Sequence, residues 1–329
     1  MKILIVGSAS PWALEQSYAA AFRQMGHEVA IVPVVDRALA LARKNPAMRL
    51  MTRLAWQRLW RPLGRAMVEE ARRWQPDVVW VFRGMEVAPE HLEAVRQPGR
   101  LLVNFNPDHP FRYGPATGNE WIVRSLPLYD LHFAWHREVV ARLQRQGLDV
   151  VYLPFGYDDL HWLAPLPASA EAEVPRIAFA GTLDARRHAL IGTLARAGLP
   201  VDVFAERRPG HPAHPNIRYL PPVYGAEYAR VATRYRVALN IFRPWNEGAH
   251  NMRSFELAAA GAVQLAPDSP DHRAWFRPET SIFLYRSAEE AAAFAERLLH
   301  LPKGDALHIR HEARNDCLRG GHHYRWRAR

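Results

Sequence analysis

The sequence predicts an α/β protein of two domains, each built on a parallel sheet covered by helices. Three observations predict it. The chain has 329 residues, which suits two cores of about 150 residues each better than one. Short continuous runs of Val, Ile and Leu alternate with helical patterns in both halves, as in sheets buried on both faces. A stretch at 161–175, with three prolines and many small residues, interrupts the alternation and reads as a linker. Domains of this Rossmann-like kind, with their sheets facing across a cleft, take ligands beyond the carboxyl ends of their strands.

The first domain, 1–160, opens with a buried strand at 3–6 and an amphipathic helix at 13–25 that stops at Gly26. Strand-like runs follow at 27–35, 78–82, 101–105, 131–135 and 150–153, with helical patterns at 89–96, 120–128 and 137–146. The second domain, 176–305, repeats the alternation. Strands are expected at 176–180, 201–204, 237–242 and 263–266, and helices at 187–197, 228–234, 251–261 and 288–299. Residues 306–329 form a C-terminal helix and basic tail, expected to pack back on the first domain.

The formal charge is +10, and only three of 43 cationic side chains are lysine. Such an arginine bias reads first as base composition, then as a preference for anionic ligands. No nucleic-acid-binding module is recognisable. Cys317 is the single cysteine, which excludes an internal disulfide and a cysteine-based zinc cluster. The apolar run after Met1 is too short for a signal peptide, and no stretch approaches the roughly 20 apolar residues of a bilayer span. A soluble, cytoplasmic protein is the expectation. Residues 37–65 carry eight cations and no acid, with Leu50, Met51, Leu54, Leu59 and Trp60 interleaved. They read either as an ordinary basic helix face or as a contact for an anionic membrane or acceptor.

The stretch Gly248-Ala-His-Asn-Met-Arg-Ser-Phe-Glu-Leu-Ala-Ala-Ala-Gly261 follows a strand and opens a helix. Asn251 suits the N-cap and Gly261 the left-handed stop. Arg253 and Glu256, three apart, share one face near the helix start. The helix N-terminus and Arg253 suit a diphosphate, and Glu256 suits a ribose diol. The first strand instead ends in Gly7-Ser-Ala-Ser-Pro11, without the glycine spacing of a dinucleotide-binding turn, so a dehydrogenase is disfavoured.

Together with Phe179-Ala-Gly-Thr-Leu-Asp-Ala-Arg-Arg187, Ala238-Leu-Asn240 and the course of residues 278–290, this stretch resembles the CgeB-like (spore-maturation type) glycosyltransferases. The resemblance covers about 176–300; looser matches lie at 80–84, 106–110 and 153–156. It implies the two-domain GT-B architecture and a sugar transferred from a nucleotide-diphosphate donor. By position it implies that Glu256 binds the ribose and that Arg253 and its helix hold the diphosphate. Gly181 and Thr182 would line the donor, Arg187 would add positive charge, and Asn251 would stand beside them. Related retaining enzymes carry two glutamates with seven residues between them. Here Gly248 occupies that position and the acid is Glu247, one residue earlier.

In the first domain Asp108 and His109 follow a strand end, where a carboxylate or imidazole could deprotonate an acceptor hydroxyl. Their sequence, Asn106-Pro-Asp-His-Pro110, is equally a natural tight turn. His132 and His136 stand four apart in a strand-like run, so a metal site is not expected. Neither metal nor cofactor is needed in this reading, since arginines and a helix N-terminus stabilise the leaving diphosphate. The expected partners are a nucleotide-sugar donor and a glycan, protein or lipid-linked acceptor. The rival readings are a nucleotide-sugar epimerase of similar build and a non-catalytic glycan- or nucleotide-binding protein.

Overall fold

The computed structural model describes residues 1–112, 117–163, 166, 173–208 and 210–329. The chain divides into two compact units, Met1–Pro154 with Arg327–Arg329, and Phe155–Trp326. This division falls ahead of the stretch expected as a linker, of which 164–165 and 167–172 lie outside the described residues.

The N-terminal unit runs β1 (Lys2–Val6), α1 (Leu14–Gln24), β2 (Glu28–Val32), α2 (Val34–Arg43), α3 (Pro46–Leu54), α4 (Trp56–Trp74) and β3 (Val78–Phe82). It continues with α5 (Pro89–Val95), β4 (Leu101–Phe105), α6 (Glu120–Ser125), β5 (Leu131–Ala134), α7 (Arg137–Arg145) and β6 (Val150–Tyr152). All six strands are parallel, in the order β2-β1-β3-β4-β5-β6. Leu4, Val6, Val79, Val81 and Leu102 pack with Met67, Ala71 and Leu92 from the helices on one face. Tyr18 and Phe22 of α1 meet Trp80 on the other. β2 ends sooner than its apolar run suggests, because Pro33 has no N–H for the ladder and caps α2 instead. The basic stretch is not one helix. Asn45 accepts from the Met48 N–H to start α3, with Pro46 at its first position, while α4 continues through Pro62.

The C-terminal unit runs α8 (Asp159–Trp162), β7 (Val174–Ala180), α9 (Ala185–Arg196), β8 (Val201–Phe204), β9 (Ile217–Leu220), α10 (Gly225–Arg234) and β10 (Tyr235–Leu239). Then come α11 (Met252–Ala260), β11 (Gln264–Pro267), α12 (Pro270–Trp275), β12 (Phe283–Tyr285), α13 (Ala288–Leu299), α14 (Lys303–Arg319) and α15 (Tyr324–Arg327). The parallel order is β12-β11-β10-β7-β8-β9. The strand order therefore reverses between β7 and β10, the crevice where open sheets of this kind bind ligands.

Its core draws Ile177, Val201, Val203, Val237, Leu239 and Leu265 from the strands and Leu194, Ala291 and Leu298 from the helices. Across it lies one charged clamp. Asp202 on β8, fully buried, accepts from Arg176 of β7 at 2.6 Å, Arg218 of β9 at 2.8 Å and the Tyr235 hydroxyl of β10 at 2.7 Å. Burial works to raise its pKa, but the bonds from Arg218, Tyr235 and Arg176 outweigh it and hold the carboxyl below its ordinary value.

Candidate functional site

Two strand ends meet at the reversal point of the C-terminal sheet. Beyond β7 the chain turns through Gly181 at φ 150°, a backbone conformation that favours glycine. Thr182 follows, and Asp184 caps α9 by accepting from the Arg187 N–H at 3.0 Å. The Arg187 side chain is buried and bonds backbone on both sides of the crevice. Its Nη1 donates to the Thr182 carbonyl at 2.7 Å, and its Nε and Nη2 donate to the Ile241 carbonyl beyond β10 at 3.3 and 3.0 Å. Burial, with Arg243 nearby, lowers its pKa to about 10, so it stays a cation at neutral pH. Arg243, which composition alone did not mark, donates to the Thr182 hydroxyl at 2.7 Å. Thr182, Arg187 and Arg243 therefore form a cationic rim joining the two strand ends.

The second half of the crevice is the start of α11. Asn251 accepts from the Ser254 N–H at 3.1 Å while the Ser254 hydroxyl accepts from the Asn251 N–H at 3.2 Å, a complete capping box. The Asn251 and Asn240 side-chain amides exchange two bonds, at 2.8 and 3.0 Å. Ser254 also donates to His272 Nε2 at 2.7 Å, and His272 Nδ1 donates to the Pro267 carbonyl at 2.7 Å. Burial lowers the His272 pKa to about 4, which keeps the ring neutral as this bonding requires. The signature asparagine is thus locked between β10, its own helix and, through Ser254, the end of β11.

From that fixed helix start Arg253 and Glu256 project together and form an ion pair. The Arg253 guanidinium lies 4.2 Å from the Tyr228 ring centroid and 5.7 Å from that of Trp162. Both rings are buried, and they meet edge to face at 5.4 Å. Glu256 is 5% exposed; burial pushes its pKa above the ordinary 4.5, against the pull of Arg253. Tyr228 feels Arg253, Glu256 and Arg187 electrostatically, so the two halves of the crevice share one field. Glu247, by contrast, is exposed and pairs with Arg186 at 3.5 Å.

Sequence reasoning missed a second support. His250, directly before the signature asparagine, is fully buried; its Nδ1 donates to Asp271 at 2.7 Å and its Nε2 accepts from the Phe155 N–H at 3.1 Å. The ring therefore pins the approach to α11 from both sides. Separations of 21 and 95 residues between these partners leave no local pattern to find.

The N-terminal unit has its own reversal point, between β1 and β3, but its anion positions are already filled. Glu15 accepts from the Ser8 N–H at 2.7 Å and Asp36 from the Ala9 N–H at 2.6 Å. A Cβ on Gly7 would fall 2.2 Å from the Glu15 carboxylate. Two carboxylates in this turn repel a phosphate, which accords with the missing glycine spacing.

Asp108 and His109 lie in this unit beyond β4. Asn106 accepts from the Asp108 N–H at 2.9 Å, and His109 Nδ1 accepts from the Phe111 and Arg112 N–H groups at 3.3 and 3.1 Å. A neutral imidazole has one lone-pair nitrogen, so the His109 lone pair is spent on the turn. Burial lowers its pKa to about 4. Potential ligand atoms of His109, His136 and Glu138 do gather within 4.8 Å of one another. His136 Nδ1, however, accepts from the Glu138 N–H at 3.2 Å, and Glu138 pairs with Arg112 at 2.9 Å. This donor set does not fit a metal without breaking the turn that assembles it.

Residues 186–329 match the family model described as glycosyl transferase-like. No curated protein matches the sequence. Among solved structures, the chain is similar to a glycosyltransferase from Rickettsia africae, with a TM-score of 0.67 at 13% identity over 99% of this chain and 95% of that one. It is similar to sucrose-phosphate synthase from Thermosynechococcus elongatus, with a TM-score of 0.66 at 11% identity over 97% and 94%. Anabaena HepE in complex with UDP and glucose gives 0.65 at 12% identity over 97% and 95%. The fold is GT-B, and the match to the family model lies in the C-terminal half.

Proposed function

We propose that the protein transfers a sugar from a nucleotide-diphosphate sugar to a hydroxyl-bearing acceptor, and that it is of the CgeB-like type. The observation that carries the reading is the Arg253–Glu256 pair, set on a rigidly capped helix at the reversal point of the C-terminal sheet. Glu256 takes the ribose hydroxyls. The α11 N-terminus, Arg253 and the rim of Arg187 and Arg243 meet the diphosphate, with Gly181 and Thr182 against it and Asn251 holding the helix start. Four positive ends converging on the leaving group supply the charge stabilisation that a divalent ion gives other transferases. The complex of Anabaena HepE with UDP and glucose supports testing UDP-linked sugars first. In the N-terminal unit Asp108 is the candidate base toward a glycan, protein or lipid-linked acceptor, and His109 holds its turn.

A thermal-shift screen of nucleoside diphosphates and their sugars tests the donor assignment, since a bound ligand raises the melting temperature by mass action. A shift with one nucleoside diphosphate, shared by its sugar and weaker with the monophosphate, is expected. A flat response to every donor would overturn the reading. Incubation of the shifting donor alone, without acceptor, separates transfer from the rival chemistry: epimerised sugar in the absence of acceptor would mean an epimerase.

A further inference from the structure

The helix α3 presents the wrong side to water for a helix of a soluble domain. Ala47, Leu50, Met51 and Leu54 recur at the three- and four-residue spacing that defines one helical face. Ordinarily that face would be buried. Here all four are exposed, Leu54 by 78%, Leu50 by 55% and Met51 by 47%. None of the helix's described side chains is buried; Met48 and Thr52, on the adjoining face, are half-covered. The helix is nonetheless well founded, with the Asn45 cap and Pro46 at its first position. Leu39, 47% exposed on α2, extends the apolar surface.

Within the α2–α4 segment from 37 to 65 the charge has one sign, and the acids that reach it include Glu90, paired with Arg61 at 3.3 Å, and Glu120, bonded to Gln57. Residues 37–65 hold eight cations and no acid, and Arg43, Lys44, Arg49, Arg58 and Arg65 are all exposed. The core-facing side of the neighbouring α4 is filled normally by Trp60, Leu63, Met67 and Ala71, so the exposed face of α3 is not a side effect of a loose domain. Charge decides the occupant. A second copy of the chain would bring the same cations against each other across a twofold contact, a like-charge juxtaposition that opposes pairing. An anionic lipid surface offers what both features need: hydrocarbon for Leu50, Met51 and Leu54, and headgroup phosphates for the arginines.

We infer that the α2–α4 face docks the protein on an anionic membrane, with α3 lying in the plane of the lipid interface. The inference stands apart from the donor site, which lies in the other unit, and either can fail alone.

Co-sedimentation of the full chain with vesicles tests it. Phosphatidylcholine vesicles are compared with vesicles containing about 30% phosphatidylglycerol, at about 0.05 M and 0.5 M salt. Binding to the anionic vesicles at low salt is expected, released at high salt and absent with phosphatidylcholine alone. The Leu50→Glu/Leu54→Glu variant is expected to lose at least about tenfold in partitioning, because two glutamates cannot enter the interface. Its melting temperature should match the wild type, since neither side chain is buried. Leu318→Glu, at an exposed position of α14, should bind as the wild type does. A second variant, Arg49→Glu/Arg58→Glu, should lose binding by removing the charge instead. Failure of the wild type to bind anionic vesicles overturns the inference. So does undiminished binding by both double variants, or a concentration-dependent dimer in sedimentation that Leu50→Glu/Leu54→Glu abolishes.

Discussion

At the scale of single residues, the site rests on two charges whose partnership was legible and on supports that were not. Arg253 and Glu256 are three apart on a helix, and that spacing alone places them on one face. Their surroundings come from elsewhere: Tyr228 is 25 residues before Arg253 and Trp162 belongs to α8. Burial by such distant groups raises the Glu256 pKa above 4.5, a property no local pattern encodes. It has a consequence for binding. In the proposed binding mode the ribose hydroxyls would donate to the ionised carboxylate, and the free site protonates at a higher pH than an ordinary glutamate. Donor affinity should therefore fall as the pH drops toward and below that raised value, and be flat above it. Affinity measured across pH should lose this acid limb in Glu256→Gln, which is already neutral; an acid limb unchanged in that variant would assign it to another group. Arg187 shows the converse. Sequence similarity marks it as donor-side charge, and the structure shows a buried strut bonded to Thr182 and Ile241. Arg187→Lys, which cannot reproduce three fixed donors, should weaken the donor at least about threefold while also lowering the melting temperature.

At the scale of elements, strands with continuous apolar runs were read correctly because burial on both faces leaves its mark in every residue. β3 and β4 coincide with their expected bounds at Val78–Phe82 and Leu101–Phe105. The edge strands β9 and β12 escaped notice, being four and three residues long and, in β9, carrying Arg218. That arginine is part of the reason the edge holds, since it reaches Asp202 across the strand pair. Asp202→Ala would remove the carboxylate that pairs with Arg176 and accepts from the Tyr235 hydroxyl, and a loss of about 3 kcal/mol is expected in chemical denaturation. The capping of α11 was anticipated at Asn251 but not the depth of its support. Ser254→Ala removes the capping-box partner and the donor to His272 together. It should cost about 1–2 kcal/mol, and donor affinity should fall with it because the helix start carries Arg253.

At the scale of the whole molecule, the two units have the same kind of sheet and opposite electrostatics at their reversal points. Carboxylates of Glu15 and Asp36 fill the turn in the N-terminal unit, and guanidinium groups of Arg187, Arg243 and Arg253 surround the crevice in the C-terminal one. The absence of a glycine fingerprint after β1 disfavoured a dinucleotide there, but the carboxylates that fill the turn were not read from the sequence. The second half of that contrast required the fold, because Arg243 is 61 residues from the Thr182 it contacts. Where the chain divides was less legible, since the expected linker was inferred from prolines while compact contacts place the boundary at Pro154. Among the described residues no helix is long and apolar enough to cross a membrane. The central claim is that the C-terminal crevice holds a nucleotide diphosphate through Arg253 and Glu256. Its most direct test is calorimetric titration of the nucleotide-diphosphate sugar giving the largest thermal shift into the wild type, Arg253→Ala and Glu256→Ala. The account predicts measurable binding by the wild type and a loss of about tenfold or more, roughly 1.4 kcal/mol, in each variant. Folded variants that bind the donor as tightly as the wild type would contradict it.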